Sequence, residues 1–266
     1  MSILSNLAFI HPEAKIGKDV IVDAFAYIDK NVEIGDGTHI HPHASILPGA
    51  RIGKNNEIFE NAIISATPQD FRWKGEDSFV IIGDNNKIRE QVIINRSIDS
   101  NGETKIGNNS FIMAQTHIGH DSEIGNYCVL GNAVKVAGNV KIGNYTILSS
   151  NALVHEKCHI GEWSLIKGGC RVNGNVPPFA VMAHNPISYF GVNAYVLKRA
   201  KKPDHIIDDI AKCYRHIYQT GTSVFNALQR IKDDVEESPE RDAIIMFINS
   251  HDMNLAAVPL KDTYDY

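Results

Sequence analysis

The chain has 266 residues, 26 Lys and Arg against 31 Asp and Glu, and a formal net charge of −5. That length can bury a substantial core, the acidic balance argues against a nucleic-acid-binding surface, and no segment approaches the roughly 18 uncharged apolar residues of a membrane span. The four cysteines, Cys128, Cys158, Cys170 and Cys213, form no CxxC pair and are read as reduced thiols of a cytoplasmic protein.

The opening MSILSNLAFIHPEAKIG has neither the cationic lead nor the apolar run of an export signal. From Ile10 onward a period of six takes over. Ile10, Ile16, Val22, Ile28, Ile34 and Ile40 lead to Ile64, the register resumes at Ile82, Ile88 and Ile94, and it runs again from Ile106 to Val172. Of the 28 positions in that register 25 are Ile, Leu or Val, against roughly a quarter expected from average composition. Six fits neither a helix at 3.6 nor an alternating strand at 2, but it fits short strands joined by corners. Hexapeptides of this kind build a parallel β-helix. Glycine after the aliphatic recurs every 18 residues, as in Ile16-Gly17, Ile34-Gly35 and Ile52-Gly53, so three hexads make one coil. Asn, Asp and Gly at the corners are expected to supply turns with positive φ.

The three positions that break the register are Asp70, Glu76 and Ser100. They mark loops leaving the solenoid near residues 65–79 and 97–104, both expected at one edge of the prism. Past VNGNVPPFAV the pattern changes. Ile206, Ile207, Ile210, Tyr214, Ile217 and Tyr218 have helical spacing between Pro203 and Gly221, Val224, Phe225, Leu228, Ile231 and Val235 suggest a second helix, and Ser238-Pro239 opens a third through Ile248. The expected fold class is mainly β: a left-handed parallel β-helix over residues 1–189 with an α-helical domain over 190–266.

Counting by 18 stacks His120, Gly138 and Glu156 in one column, on the edge where both loops emerge. A histidine followed by Asp121 suits general-base chemistry, because imidazole titrates near neutral pH and a carboxylate fixes its tautomer. Spacing alone leaves open that the pair is ordinary surface. A metal shared by His117 and His120 is the weaker reading, since no two of the twelve histidines have the five-residue offset of the solenoid carbonic anhydrases. His39, His41 and His43 in THIHPHA are read as a solvated strand edge rather than a metal site. No cofactor is called for.

The segments PQDFRWKGE, IGDNNKIREQVIINR, THIGHD, VHEKCHIG, GGC, VPPF and FGVNAYVLKR resemble, nearly end to end, the acyl-ACP–UDP-N-acetylglucosamine O-acyltransferase family of the lipid A pathway. The resemblance implies homotrimers with active sites between neighbouring prisms, acyl carrier protein as donor and a UDP-sugar as acceptor. It implies His120 as general base, Asp121 as its orienting partner and the Gly138 N–H as oxyanion donor. Asp70 and Arg72 would reach the sugar, with Gln69, His117, His155 and Glu156 in the same substrate-binding set, Asn193 and Arg199 would meet the nucleotide, and Gly168 would end the acyl groove. The basic run Lys198, Arg199, Lys201 and Lys202 would steer the acidic carrier protein. Asn95, Asn139, Glu156, Tyr195 and Ala200 depart from the family's usual residues, which admits a paralogue acylating another nucleotide sugar such as a 3-amino analogue. An acetyl-CoA-dependent sugar N-acetyltransferase and a non-catalytic solenoid are the remaining alternatives.

Overall fold

The computed structural model describes residues 2–250 and 254–257. Its strands fall into three parallel sheets, the faces of a left-handed β-helical prism. The first face starts with Ile3–Leu4, Ile21–Val22 and His39–Ile40 and ends at Leu165–Ile166, extended by Ala180–Ala183. The second runs from Phe9–Ile10 through His117–Ile118 to Arg171–Val172, and the third from Lys15–Ile16 to His159–Ile160. Each strand contributes one inward aliphatic: Ile28, Ile40, Ile58, Ile94, Ile112 and Ile118 are all completely buried. Removing such a stack of branched side chains from water is the main apolar stabilisation of the fold.

Register confirms the period and its interruptions. Ile52 pairs with Ile82 and Ile82 with Ile106, so the extra residues are looped out while the ladder continues. The loops follow strands Ile63–Ala66 and Ile93–Asn95, both on the second face. His120 follows His117–Ile118 on that same face, and the shared edge expected from the spacing is there.

The corners differ from expectation in a useful way. Asn31, Asn55, Asn85 and Asn139 do take positive φ, but so do Tyr127, Tyr145 and Trp163. These three aromatics stack in a column, with ring centroids 4.9 and 4.0 Å apart, and that contact offsets the cost of the left-handed backbone. The repeated glycines answer a different demand: a Cβ on Gly35 would lie 2.6 Å from the Gly53 carbonyl of the next coil. Close approach of backbones, rather than positive φ, requires glycine there.

After the last coil a hairpin, Ala180–Ala183 with Ser188–Val192, turns the chain back. Helices α1 (Ala194–Arg199), α2 (Asp204–Tyr218), α3 (Val224–Asp234) and α4 (Pro239–Asn249) follow. Ser223 and Ser238 cap α3 and α4 by accepting from Asn226 N and Arg241 N. Pro203 is the N-cap of α2 rather than its first helical residue. Tyr214 of α2 is wholly buried and its hydroxyl donates to the Pro178 carbonyl, which joins the helices to the end of the prism.

Candidate active site

The corner after His117–Ile118 places His120 and Asp121 side by side. Asp121 sits at φ 60, its N–H donating to Thr104 Oγ1 at 2.8 Å, and its Oδ2 lies 2.7 Å from His120 Nδ1. Ser97, at the start of the second loop and fully buried, donates its hydroxyl to the other oxygen, Oδ1. Ser97 Oγ itself accepts from Asp99 N at 2.9 Å. The carboxylate is thus held from both sides, and an Nδ1–H bond leaves the His120 Nε2 lone pair free to take a proton.

One coil on, Gly138 lies over the imidazole, where a Cβ would collide with His120 Cε1 and Nε2. Its neighbours Ala137 and Asn139 give their N–H groups to Val154 O at 3.1 Å and His120 O at 2.9 Å. Among the described residues no hydrogen bond takes the Gly138 N–H, which leaves a donor beside the candidate base.

The first loop closes over the same corner. Asp70 Oδ2 is 3.4 Å from His120 Nε2. Arg72 grips Asp70 through Nε at 2.9 Å and Nη2 at 2.7 Å, and Nη2 also reaches Glu156 Oε1 at 3.3 Å. These hydrogen bonds hold the Asp70 carboxyl far below the usual carboxylate range, so it is anionic and complements the positive charge that His120 acquires on taking a proton. His117 turns away, its Nε2 2.8 Å from Asn95 Oδ1, while Asn95 Nδ2 donates to Thr67 O at 2.6 Å. Burial lowers the His117 pKa and favours the neutral ring.

Of the residues singled out in the sequence, His120, Asp121, Gly138, Asp70, Arg72 and Glu156 converge. His117 flanks them, His155 lies one column over on the same edge, and Gln69 is exposed on the first loop. Gly168 follows a first-face strand on a different edge, where a Cβ would approach Ser150 O to 3.0 Å. Asn193, 4% exposed, is the N-cap residue of α1 and its Nδ2 donates to Trp163 O at 2.8 Å. Arg199 is exposed, with Nη1 3.4 Å from the Tyr195 hydroxyl. A single chain does not bring these last three to His120. Ser97 and Thr104 were missed, because they lie where the hexapeptide register lapses; a hydroxyl residue at the root of a loop facing the Asp121 corner was the available signal.

A hexapeptide-repeat prism with a carboxylate-held histidine under a glycine N–H at its corner is an acyltransferase of the hexapeptide class. The profile described as "Udp N-acetylglucosamine O-acyltransferase; Domain 2" matches residues 175–255, the bacterial transferase hexapeptide profile matches 103–138, and the GMPPB C-terminal domain profile matches 4–101. An acyl-(acyl-carrier-protein)–UDP-N-acetylglucosamine O-acyltransferase of Saccharophagus degradans is 41% identical over 232 residues, covering 87% of this chain and 90% of its own length. Another, of Thermodesulfovibrio yellowstonii, is 37% identical and covers 94% of this chain and 98% of its own. The crystal structure of a UDP-N-acetylglucosamine acyltransferase from Bacteroides fragilis 9343 superposes with a TM-score of 0.92 at 45% identity, over 94% of this chain and 98% of that one. The chain belongs to the acyl-carrier-protein-dependent UDP-N-acetylglucosamine O-acyltransferase family.

Proposed function

We propose that this enzyme transfers an acyl chain from acyl carrier protein to the 3-hydroxyl of UDP-N-acetylglucosamine, the first step of lipid A biosynthesis. The observation that carries the mechanism is the stack of Asp121, His120 and Gly138. The acceptor hydroxyl approaches Nε2 from beside Asp70, loses its proton to Nε2 as its oxygen attacks the thioester carbonyl, and the resulting oxyanion meets the Gly138 N–H. Collapse breaks the C–S bond, and the imidazolium returns the proton to the departing thiolate. Removing a general base costs roughly 10²-fold or more, so His120→Ala should lose that much turnover while the prism folds unchanged. Near-native turnover would exclude His120 as the base.

Two outer faces support a homotrimer. The outward column of the first face reads Phe111, Val129, Ile147 and Leu165 in register, an apolar stripe suited to a subunit contact. On the third face most outward residues are charged and several are paired, as Lys15 with Glu33 at 2.8 Å and Lys141 with Glu123 at 3.8 Å. A trimer would bring a neighbour's Gly168, Asn193 and Arg199 toward each His120. Phe71, fully exposed at the loop tip, would then be covered.

For the carrier protein, Lys202 is held by Glu240 at 2.5 Å, while Lys198, Arg199 and Lys201 are exposed and form the outward charges of the basic run. We place the domain boundary at 189/190, inside the hairpin strand that joins prism and helices, and the protein in the cytoplasm with its acyl-carrier donor. No helix among the described residues is long and apolar enough to cross a membrane. Mass analysis of products from a panel of acylated carrier proteins and acetyl-CoA, with UDP-N-acetylglucosamine or its 3-amino analogue, tests the assignment. An ester on the hydroxyl sugar supports it; product only with the amino sugar identifies the paralogue, and product only from acetyl-CoA overturns both.

A further inference from the structure

Away from the active corner, the first face carries a second convergence of ligand-bearing side chains. His39 is the outward residue of strand His39–Ile40 and His41 opens the corner that follows; two residues apart on an extended chain, they project to the same side. Their rings stack with centroids 3.9 Å apart and 22° between planes. Phe59, from the next coil, stacks on His41 at 4.3 Å. Asp23, from the preceding coil, sets Oδ2 2.7 Å from His39 Nε2. His43 takes no part, because its ring stacks on Phe25. The expectation of a solvated edge for this histidine run therefore fails at His39 and His41, whose side chains are only 29% and 19% exposed.

Two features point to a ligand. One ligand atom each from Asp23, His39 and His41 lies within 4.8 Å of the others, and His41 Nε2 is buried with no hydrogen-bond partner among the described residues. A buried, unpaired ring nitrogen calls for a partner such as an ion. We propose that Asp23, His39 and His41 bind a divalent transition-metal ion of the zinc type, tying two neighbouring coils of the prism together.

Two imidazoles and a carboxylate are a characteristic donor set for such ions, with bonds of about 2.0–2.2 Å. The ion takes the place of the proton shared by Asp23 and His39, and His41 turns out of its stack on His39 to direct a ring nitrogen at it. With Nε2 on the metal, Nδ1–H faces Glu60, whose Oε1 is 3.9 Å away, the outer carboxylate that commonly orients a ligating histidine. Arg89 lies over the Phe59 ring at 4.5 Å and is paired with Glu90.

The test uses the full-length protein, stripped with a chelator and titrated with Co²⁺, read by visible absorption, and with Zn²⁺, read by calorimetry. One ion per chain is expected. Asp23→Asn, which preserves side-chain shape, and His41→Gln should each weaken binding roughly tenfold or more, while His205→Gln, on the exposed side of α2, should leave it unchanged. Circular dichroism establishes that each variant is folded. Absence of saturable binding by the native protein, or equal affinity in the Asp23 and His41 variants, overturns the proposal.

Discussion

A serine hydroxyl has one hydrogen to give, and at Ser97 its direction is set by what the oxygen already accepts. Because Asp99 N donates to Oγ at 2.9 Å, the Ser97 hydrogen goes to Asp121 Oδ1. A hydrogen bond to a charged group is worth about 1.5–3 kcal/mol, and here it keeps the carboxylate facing His120 Nδ1. Ser97→Ala should therefore lower kcat roughly tenfold, at about 1.4 kcal/mol per decade, with little change in KM for the sugar, since Ser97 is buried behind the dyad. Steady-state kinetics decide it: an unchanged kcat would mean that Ile98 N, 3.4 Å from Oδ2, and Thr104 hold Asp121 sufficiently alone. At the same scale, Glu156 closes a chain of charge from Asp70 through Arg72. Arg72 is more than half exposed, so that pair serves loop position more than stability.

At the scale of elements, a corner that recurs at each hexad makes neighbours of residues 18 apart, and Gly138 shows what that demands. A methyl group there would occupy the space of the His120 ring. Gly138→Ala should displace the imidazole and reduce turnover by roughly 10²-fold, the scale of losing the base. Overpacking should cost about 1–3 kcal/mol of stability, leaving the remaining coils intact. Calorimetric melting together with kinetics checks both parts; full activity with a normal melting point would place the ring elsewhere. The helices show where local periodicity reads less well. In α3 the buried residues are Ala227, Leu228 and Ile231, while Phe225 is 78% exposed, because a 3.6 period seated on Leu228 and Ile231 swings position 225 outward. Helix α1 has too few turns to show a period at all.

On the scale of the molecule, the proposed trimer rests on the apolar stripe Phe111, Val129, Ile147 and Leu165 of the first face. Native mass by light scattering should be about three times the 29.4 kDa chain, and Val129→Glu with Ile147→Glu should reduce it to that of one chain, because charges facing each other in an apolar contact lose hydration without gaining a partner. Activity should disappear with the trimer if neighbouring chains complete each site. A native protein running as a single chain, or a variant retaining threefold mass, would rule out this surface.

The repeat, its coil length, the exit points of both loops and the column joining His120 to Gly138 were determined by the sequence alone, because each hexad solves the same local problem and register then propagates by hydrogen bonding. The helix start at Ser238 was legible for a similar reason: a cap is a local contact. What only the tertiary structure decided are contacts made where that register lapses. Ser97 against Asp121, and Arg72 against Glu156 84 residues away, depend on how two irregular loops fold back over the corner, which no periodicity encodes. The pairing of His39 with Asp23, and the stacking of His41 on His39 rather than on His43, is likewise a matter of which way side chains turn from the prism. Backbone register sets only where they begin.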